Sequence, residues 1–336
     1  MGTSFQGIIK TEKGRIRYMK TIPGFVQIDS ENNSFYFKNA FALPGFTDSH
    51  GHIASLGSKL TGLDLSACSD SEECAVSAWN NPKEKGDWIV ASGWNQELWK
   101  KKNNPDKKIL DKYFPDTPVC FTRIDGHAVW VNSKALKLAG INNLTKNPEG
   151  GLIEKDKSGN PTGILHDNAI DLIKKMIPDY SRNQIKKQIK IALKELVKYG
   201  ITSVHDMDVN PCLIPAYNKL NDENKIPLRI YSFISGHKEE WLKNNISPQK
   251  RGNFNIIGVK FYADGSLGSR SAAMLNEYSD KKKHFGIFLT TEMELYSRIK
   301  KALSSNFHIA VHAIGDAANR MVLDTFQNIL LVNKDF

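Results

Sequence analysis

The sequence predicts an α/β fold built from parallel βα units, and two patterns carry that prediction. The runs GITSVHDM (200–207), LRIYSFIS (228–235), IIGVKFYAD (256–264) and FHIAVHAI (307–314) are near-continuously apolar and rich in β-branched and aromatic residues. Such runs suit strands buried on both faces. Ahead of the first lies RNQIKKQIKIALKELVKYG, in which Ile185, Ile189, Ala192, Leu193, Leu196 and Val197 recur at helical spacing and Gly200 fits the C-terminal cap. Strand and helix in alternation imply a parallel sheet.

Taken in order, the first twenty residues contain no apolar stretch of signal-peptide length. Gln6 stands where myristoylation prefers Ser or Thr. NAFALPGFTDSH (39–50) is read as the first strand of the sheet. Residues 60 to 167 hold strand-like DWIVASGW and PVCFTRID, a helix SKALKLAG capped by Asn132-Ser133, and turns at Gly150-Gly151 and at 158–161. They are read as a long insertion between the first and second strands.

Composition excludes several classes. A chain of 336 residues with 40% hydrophobic and 24% charged residues suits a globular protein with a large core. The +10 charge comes from scattered lysines and two short runs at 100–102 and 281–283, read as solvated loops, so no nucleic acid is expected. No apolar run reaches about 18 residues, so no membrane span is expected. Cys68, Cys74, Cys120 and Cys212 lack CxxC spacing and secretory context, which reads as reduced thiols in a cytoplasmic protein.

The chemistry-bearing residues collect at strand ends. His50 and His52 lie two apart, so a strand places both imidazoles on one face where they can reach one ion; satisfied surface histidines are the alternative. Asp48 shares that face and is expected to orient a ligand histidine from behind. His312 ends the strand HIAVH, with His308 at its far end, and Gly315-Asp316 lead into a helix. Convergence of such histidines at one end of parallel strands is where barrel enzymes place their chemistry. Lys260 either snorkels outward between helices or points inward, where desolvation drives it to the neutral amine that can form a carbamate ligand. Asp264 and Arg270 are expected around the pocket at that strand's end, and Trp94 and His127 are expected to cover it from the insertion. His205 either lines the pocket or packs. His166, His237 and His284 are read as surface or packing residues.

PGFTDSHGHI, SGWNQELW, RIDGHAVWVNSKAL, GGLIEKDKSGNPTGIL, GITSVHDM, GVKFYADGSLGSRSA and VHAIGDAANRMVLD follow one another in the order seen in amidohydrolase family 3, and from about residue 38 onward the chain resembles that family. This branch of the amidohydrolase superfamily includes enzymes similar to N-substituted formamide deformylase. The resemblance implies a TIM-like (β/α)8 metal-dependent hydrolase barrel with a small β-sandwich made from both chain ends. It implies one or two divalent ions, usually Zn2+, and hydrolysis of a non-peptide, amide-like C–N bond in a small molecule by an activated water. By position His50, His52, Lys260 and His312 match metal ligands, Lys260 being the lysine carboxylated in many members.

The resemblance also implies a further histidine ligand and an eighth-strand aspartate beyond His312, for which this sequence has no counterpart. At about 31 residues per βα unit, three more units need about 90 residues. The expectation is therefore a C-terminally truncated barrel of about five strands over residues 41–336, with 1–40 a remnant of the β-sandwich. Such a chain alone is expected to be poorly soluble or inactive. The alternatives are a non-catalytic remnant that binds a ligand or partner, and half of a split enzyme. Homo-oligomerisation stays open.

Overall fold

A computed structural model describes residues 7–12, 15–21, 25–30, 33–38, 43–148, 151–236, 239–267 and 270–332. Gly150 and His237 of the sequence reading lie outside them. The chain divides into two units, residues 1–46 and 47–336. In the first, Gly7–Glu12 pairs antiparallel with Arg15–Thr21 and parallel with Phe25–Ser30, and Asn33–Lys38 completes a four-stranded sheet.

The second unit holds the strands anticipated from the apolar runs. Phe46–Gly51 lies beside Ile201–Val209, followed by Arg229–Ser235, Phe254–Tyr262 and His308–His312. The last four pair in parallel, with Val204 opposite Ile230, Ile234 opposite Val259 and Tyr262 opposite His312. The result is a curled parallel half-barrel sheet. One face is an apolar core: Val204, Ile230, Ile234, Val259 and Phe261 pack with Ile189 and Leu193 of the helix Arg182–Lys198 and with Leu295 and Ile299 of Glu292–Ser304. Strand alternation sends His205, Tyr231, Lys260, Tyr262 and His312 to the other, concave face. Among the described residues Phe46–Gly51 is one edge of this sheet; at the other, the short strand Gln249–Arg251 pairs antiparallel with the start of Phe254–Tyr262 and His308–His312 pairs in parallel with its end.

The helix Arg182–Lys198 opens with a capping box between Ser181 and Gln184, and Gly200 follows its end with φ +75°. Of the apolar positions at helical spacing, Val197 is 44% exposed on the last turn, while Leu196 beside it packs on the core. The helix Ile53–Thr61 crosses Arg182–Lys198 so closely that a Cβ on Gly57 would lie 2.3 Å from the Gln188 carbonyl oxygen. That oxygen is backbone and cannot swing aside. Gly57→Ala is therefore expected to cost about 1–3 kcal/mol through overpacking, read as a lowered urea midpoint; an unchanged midpoint would show that the helices separate freely.

The chain between Phe46–Gly51 and Ile201–Val209, which are neighbours in the first sheet, forms a second sheet. Its order is Gly151–Lys155, Pro161–Asp167, Ala128–Val131, Val119–Arg123, Trp88–Trp94 and Glu84–Lys85. Only Trp88–Trp94 and Val119–Arg123 pair in parallel. Its two faces carry separate cores, one around Trp94, Phe121 and Trp130, the other around Val129, Ile153 and Leu165. Among the described residues no helix is long and apolar enough to cross a membrane.

Candidate metal centre

The strand Phe46–Gly51 ends against Ile201–Val209, and Gly51 makes the approach possible: a Cβ there would meet Val204 at 2.9 Å and Asp48 at 3.1 Å. His50 and His52 flank this glycine, with ring centroids 5.4 Å apart and nearly edge-on. His52 is the N-cap residue of the helix Ile53–Thr61, and its Nδ1 stands 2.9 Å from the Met207 carbonyl oxygen. That oxygen only accepts, so Nδ1 carries the proton and the Nε2 lone pair is left for a ligand. Asp48 does not orient a ring: its carboxylate accepts from the His50 backbone N–H at 3.0 Å. The orienting group expected from Asp48 is thus a backbone carbonyl on the neighbouring strand Ile201–Val209, 155 residues along the chain.

A buried carboxyl fixes the turn that follows. Asp206 accepts from the Ile53 N–H at 2.9 Å and from the Tyr217 hydroxyl at 2.6 Å. Burial pushes Asp206 up to about 6, against the pull of those two hydrogen bonds and of His52. His50 is held below the ordinary histidine value, first by desolvation and then by the charges of Lys260 and His52, with Asp48 opposing and His312 adding a smaller push. A neutral imidazole near pH 7 is the form a metal needs.

On the other side of the concave face Lys260 is 4% exposed, and burial lowers its pKa while Asp208 opposes. Its Nζ lies 5.6 Å from the Tyr262 ring centre, and that ring is 5.2 Å from the His312 ring. Lys260 thus takes the inward course of the two the sequence left open. His312 Nε2 lies 2.9 Å from the Gly265 carbonyl oxygen and 3.7 Å from Asp264 Oδ1. Its Nδ1 is the nitrogen left to a ligand.

Of the five residues expected to surround the pocket, the structure places three elsewhere. Trp94 is fully buried, its indole N–H donating to the Phe121 carbonyl and its ring against Trp99 and Trp130. It fills a core because the second sheet needs bulk between its face and the segment that covers it. Asp264 is also fully buried and accepts three backbone N–H groups, from Ala273, Ile314 and Gly315. It braces the loop behind His312. Arg270 is exposed, with φ +56°, and its guanidinium is clasped by both Asp280 oxygens. His205 lies on the concave face against Tyr231 and Phe233. His127 is half-exposed, 3.0 Å from Asp167 Oδ1. Of the bland histidines, His166 stands 3.7 Å from Glu154 and His284 is 2.6 Å from the Arg270 carbonyl.

The sequence reading missed Asp206, Asp208 and Tyr262. Tyr262 shares the parity of Lys260, a signal that could have exposed it. Among the described residues no three His, Cys, Asp or Glu side chains stand close enough together to hold an ion. The pair His50–His52 is assembled; His312 stands across the concavity on the opposite edge strand.

A model of the amidohydrolase family matches residues 38–335. The Bacillus subtilis protein YtcJ, named as an amidohydrolase, is 34% identical over 88% of this chain and 57% of its own length. The N-substituted formamide deformylase of Arthrobacter pascens is 24% identical over 85% of this chain and 56% of its own. A crystal structure of an uncharacterized metal-dependent hydrolase from Pyrococcus horikoshii superposes with a TM-score of 0.72 at 28% identity, covering 91% of this chain and 57% of that one. The chain thus spans little more than half the length of these relatives.

Proposed function

The chain belongs to the amidohydrolase family, and from that premise we propose that it is a metal-dependent hydrolase of amide-like C–N bonds, with His50, His52, Lys260 and His312 as its metal ligands. The observation that carries the reading is the His50–His52 pair at a parallel strand end, with His52 turned by the Met207 carbonyl so that Nε2 is unengaged. His312 is turned in the same way by the Gly265 carbonyl, with Nδ1 unengaged. This donor set fits a borderline cation, and Zn2+ is the ion we propose. Lys260, driven toward the neutral amine by burial, would join the set as a carbamate after taking up carbon dioxide, visible as crystallographic density beyond Nζ.

A divalent ion bound there supplies Lewis acidity and lowers the pKa of water toward neutrality. The chain's own groups do the positioning: Met207 and Gly265 carbonyls orient the rings, Asp206 anchors the turn after His52, and Asp264 braces the loop behind His312. His205 and His127 are the proposed pocket residues that keep an accessible place, and residues 60–167 are read as an insertion carried by the barrel. The four-stranded sheet before residue 40 is read as part of a composite β-sandwich.

Zinc titration by calorimetry tests the centre. The wild-type chain is expected to bind Zn2+, and His50→Ala with His52→Ala is expected to abolish binding; equal binding by the double variant would remove the pair from the centre. A second reading, binding without hydrolysis, is favoured by one observation: the described residues lack a ready-made three-ligand cluster. Release of butylamine from N-butylformamide by the zinc-loaded chain decides between the two, since zinc uptake with no amine release supports the second.

A further inference from the structure

The helix Ile53–Thr61, the second sheet and residues 174–180 border a cavity of about 770 Å³. That is the size of a small-molecule pocket. His50, His52, Lys260 and His312 do not line it, so it is a separate space from the candidate centre. Its floor is one face of the parallel pair Trp88–Trp94 and Val119–Arg123, where Val90 lies opposite Cys120 and Ser92 opposite Thr122. Strand alternation turns Ile89 and Phe121 to the other face, into the core around Trp94. The cavity reaches the carboxyl ends of these strands at Gly93 and Arg123, the end at which parallel α/β sheets bind ligands.

The walls carry an excess of positive charge: among the described lining residues Lys59, Lys85, Arg123 and Lys174 face one carboxylate, Asp64. Arg123 is paired with Asp125 at 2.9 Å, and Asp64 accepts the Ser66 N–H at 2.9 Å. Among the described residues Lys59, Lys85 and Lys174 make no ion pair; Lys85 lies over the Tyr180 ring, 4.6 Å from its centre. The hydroxyls of Ser55, Ser58, Ser92 and Thr122 line the same space, and none makes a hydrogen bond among the described residues. Solvated lysines are the plain explanation, since the chain carries +10. Solvation accounts for ammonium groups dispersed over a convex surface. It does not account for three of them bordering one concavity, with four unengaged hydroxyls, above a floor that includes Val90, Ile177 and Tyr180. Low-dielectric walls of one charge sign focus the potential and concentrate anions. The charge suits a dianion, for which lysine is a common ligand, and the apolar floor suits a body attached to it.

We propose that this cavity is a binding site for an organic phosphate monoester, with Lys59, Lys85 and Lys174 supplying the charge that holds the phosphate and the floor beside Tyr180 taking the apolar body. The site stands apart from the metal centre and its occupancy needs no metal.

Calorimetric titration of the full chain with phenyl phosphate, with no metal added, tests the site; inorganic phosphate and benzyl alcohol serve as the two halves of the probe. Phenyl phosphate is expected to bind, inorganic phosphate at least about tenfold more weakly for want of the apolar contact, and benzyl alcohol not measurably. Lys59→Gln with Lys174→Gln removes two exposed ammonium groups and should weaken phenyl phosphate by about tenfold. Lys281→Gln with Lys282→Gln removes the same charge outside the cavity and should change the affinity by less than about twofold. The His50→Ala, His52→Ala variant should bind as wild type does. Equal weakening by the two lysine pairs would reduce the effect to net charge and overturn the proposal. So would equal binding of phenyl phosphate and inorganic phosphate, or no binding of phenyl phosphate at all. Loss of binding in the histidine variant would place the anion at the metal centre and overturn it as well.

Discussion

Asp264→Ala is expected to destabilise the chain by at least about 3 kcal/mol and to release His312 from its place. The carboxylate is fully buried and receives the N–H groups of Ala273 at 2.9 Å, Ile314 at 3.0 Å and Gly315 at 2.7 Å. Alanine leaves two buried donors and one part-buried donor without an acceptor, each buried one unfavourable by about 1–3 kcal/mol. The surroundings cannot close over the loss. A Cβ on Gly315 would already lie 1.8 Å from the Ala273 carbonyl oxygen, so the two loops touch backbone to backbone. Asparagine should recover at most part of the effect, since it offers one acceptor oxygen and turns an N–H donor toward other donors. Urea unfolding gives the stability, and the His312 ring resonances report its placement. A loss below about 1 kcal/mol would mean that water enters and satisfies the loop.

Asp264 also shows what a sequence can and cannot disclose about such a site. Its position at the end of an apolar run marked it as a strand-end residue, and so it is. Whether it faces the cleft or the loop behind depends on where Ala273 and Gly315 lie, and they are 9 and 51 residues away. The strands themselves were legible because strands buried on both faces read as near-continuous apolar runs. The His50–His52 spacing was legible because a strand has period two. The groups that orient the rings were not, because the Met207 and Gly265 carbonyls belong to the backbone and any residue type supplies one. Trp94 misled for a related reason: an indole in a strand of a second sheet fills a core as readily as it covers a cleft, and only the register against Phe121 decides. Arg270 looked available as a substrate-binding cation until the turn brought Asp280 onto its Nε and Nη2.

Asp206 carries the second large effect, a dependence of stability on pH that runs opposite to the usual one for a carboxylate. Burial raises its pKa from the ordinary 3.8 to about 6 in the folded chain. Between those values the folded state holds a proton that the unfolded chain has released, so linkage makes stability fall as pH rises. The contribution is fully present below about pH 4 and lost once the pH passes about 6. Roughly two pH units of displacement correspond to about 3 kcal/mol. Asp206→Asn removes the titration while keeping an oxygen for the Ile53 N–H and an N–H for the Tyr217 oxygen. Urea midpoints of both proteins between pH 3.5 and 7.5 isolate the effect from every other carboxylate, because only their difference is read. Wild type should lose about 3 kcal/mol relative to the asparagine variant across that interval. A difference constant with pH would show that Asp206 ionises in the folded state as readily as in the unfolded one, with water reaching the Tyr217 pocket. The consequence extends to the candidate centre, because the Ile53 N–H that Asp206 holds begins the helix for which His52 is the N-cap.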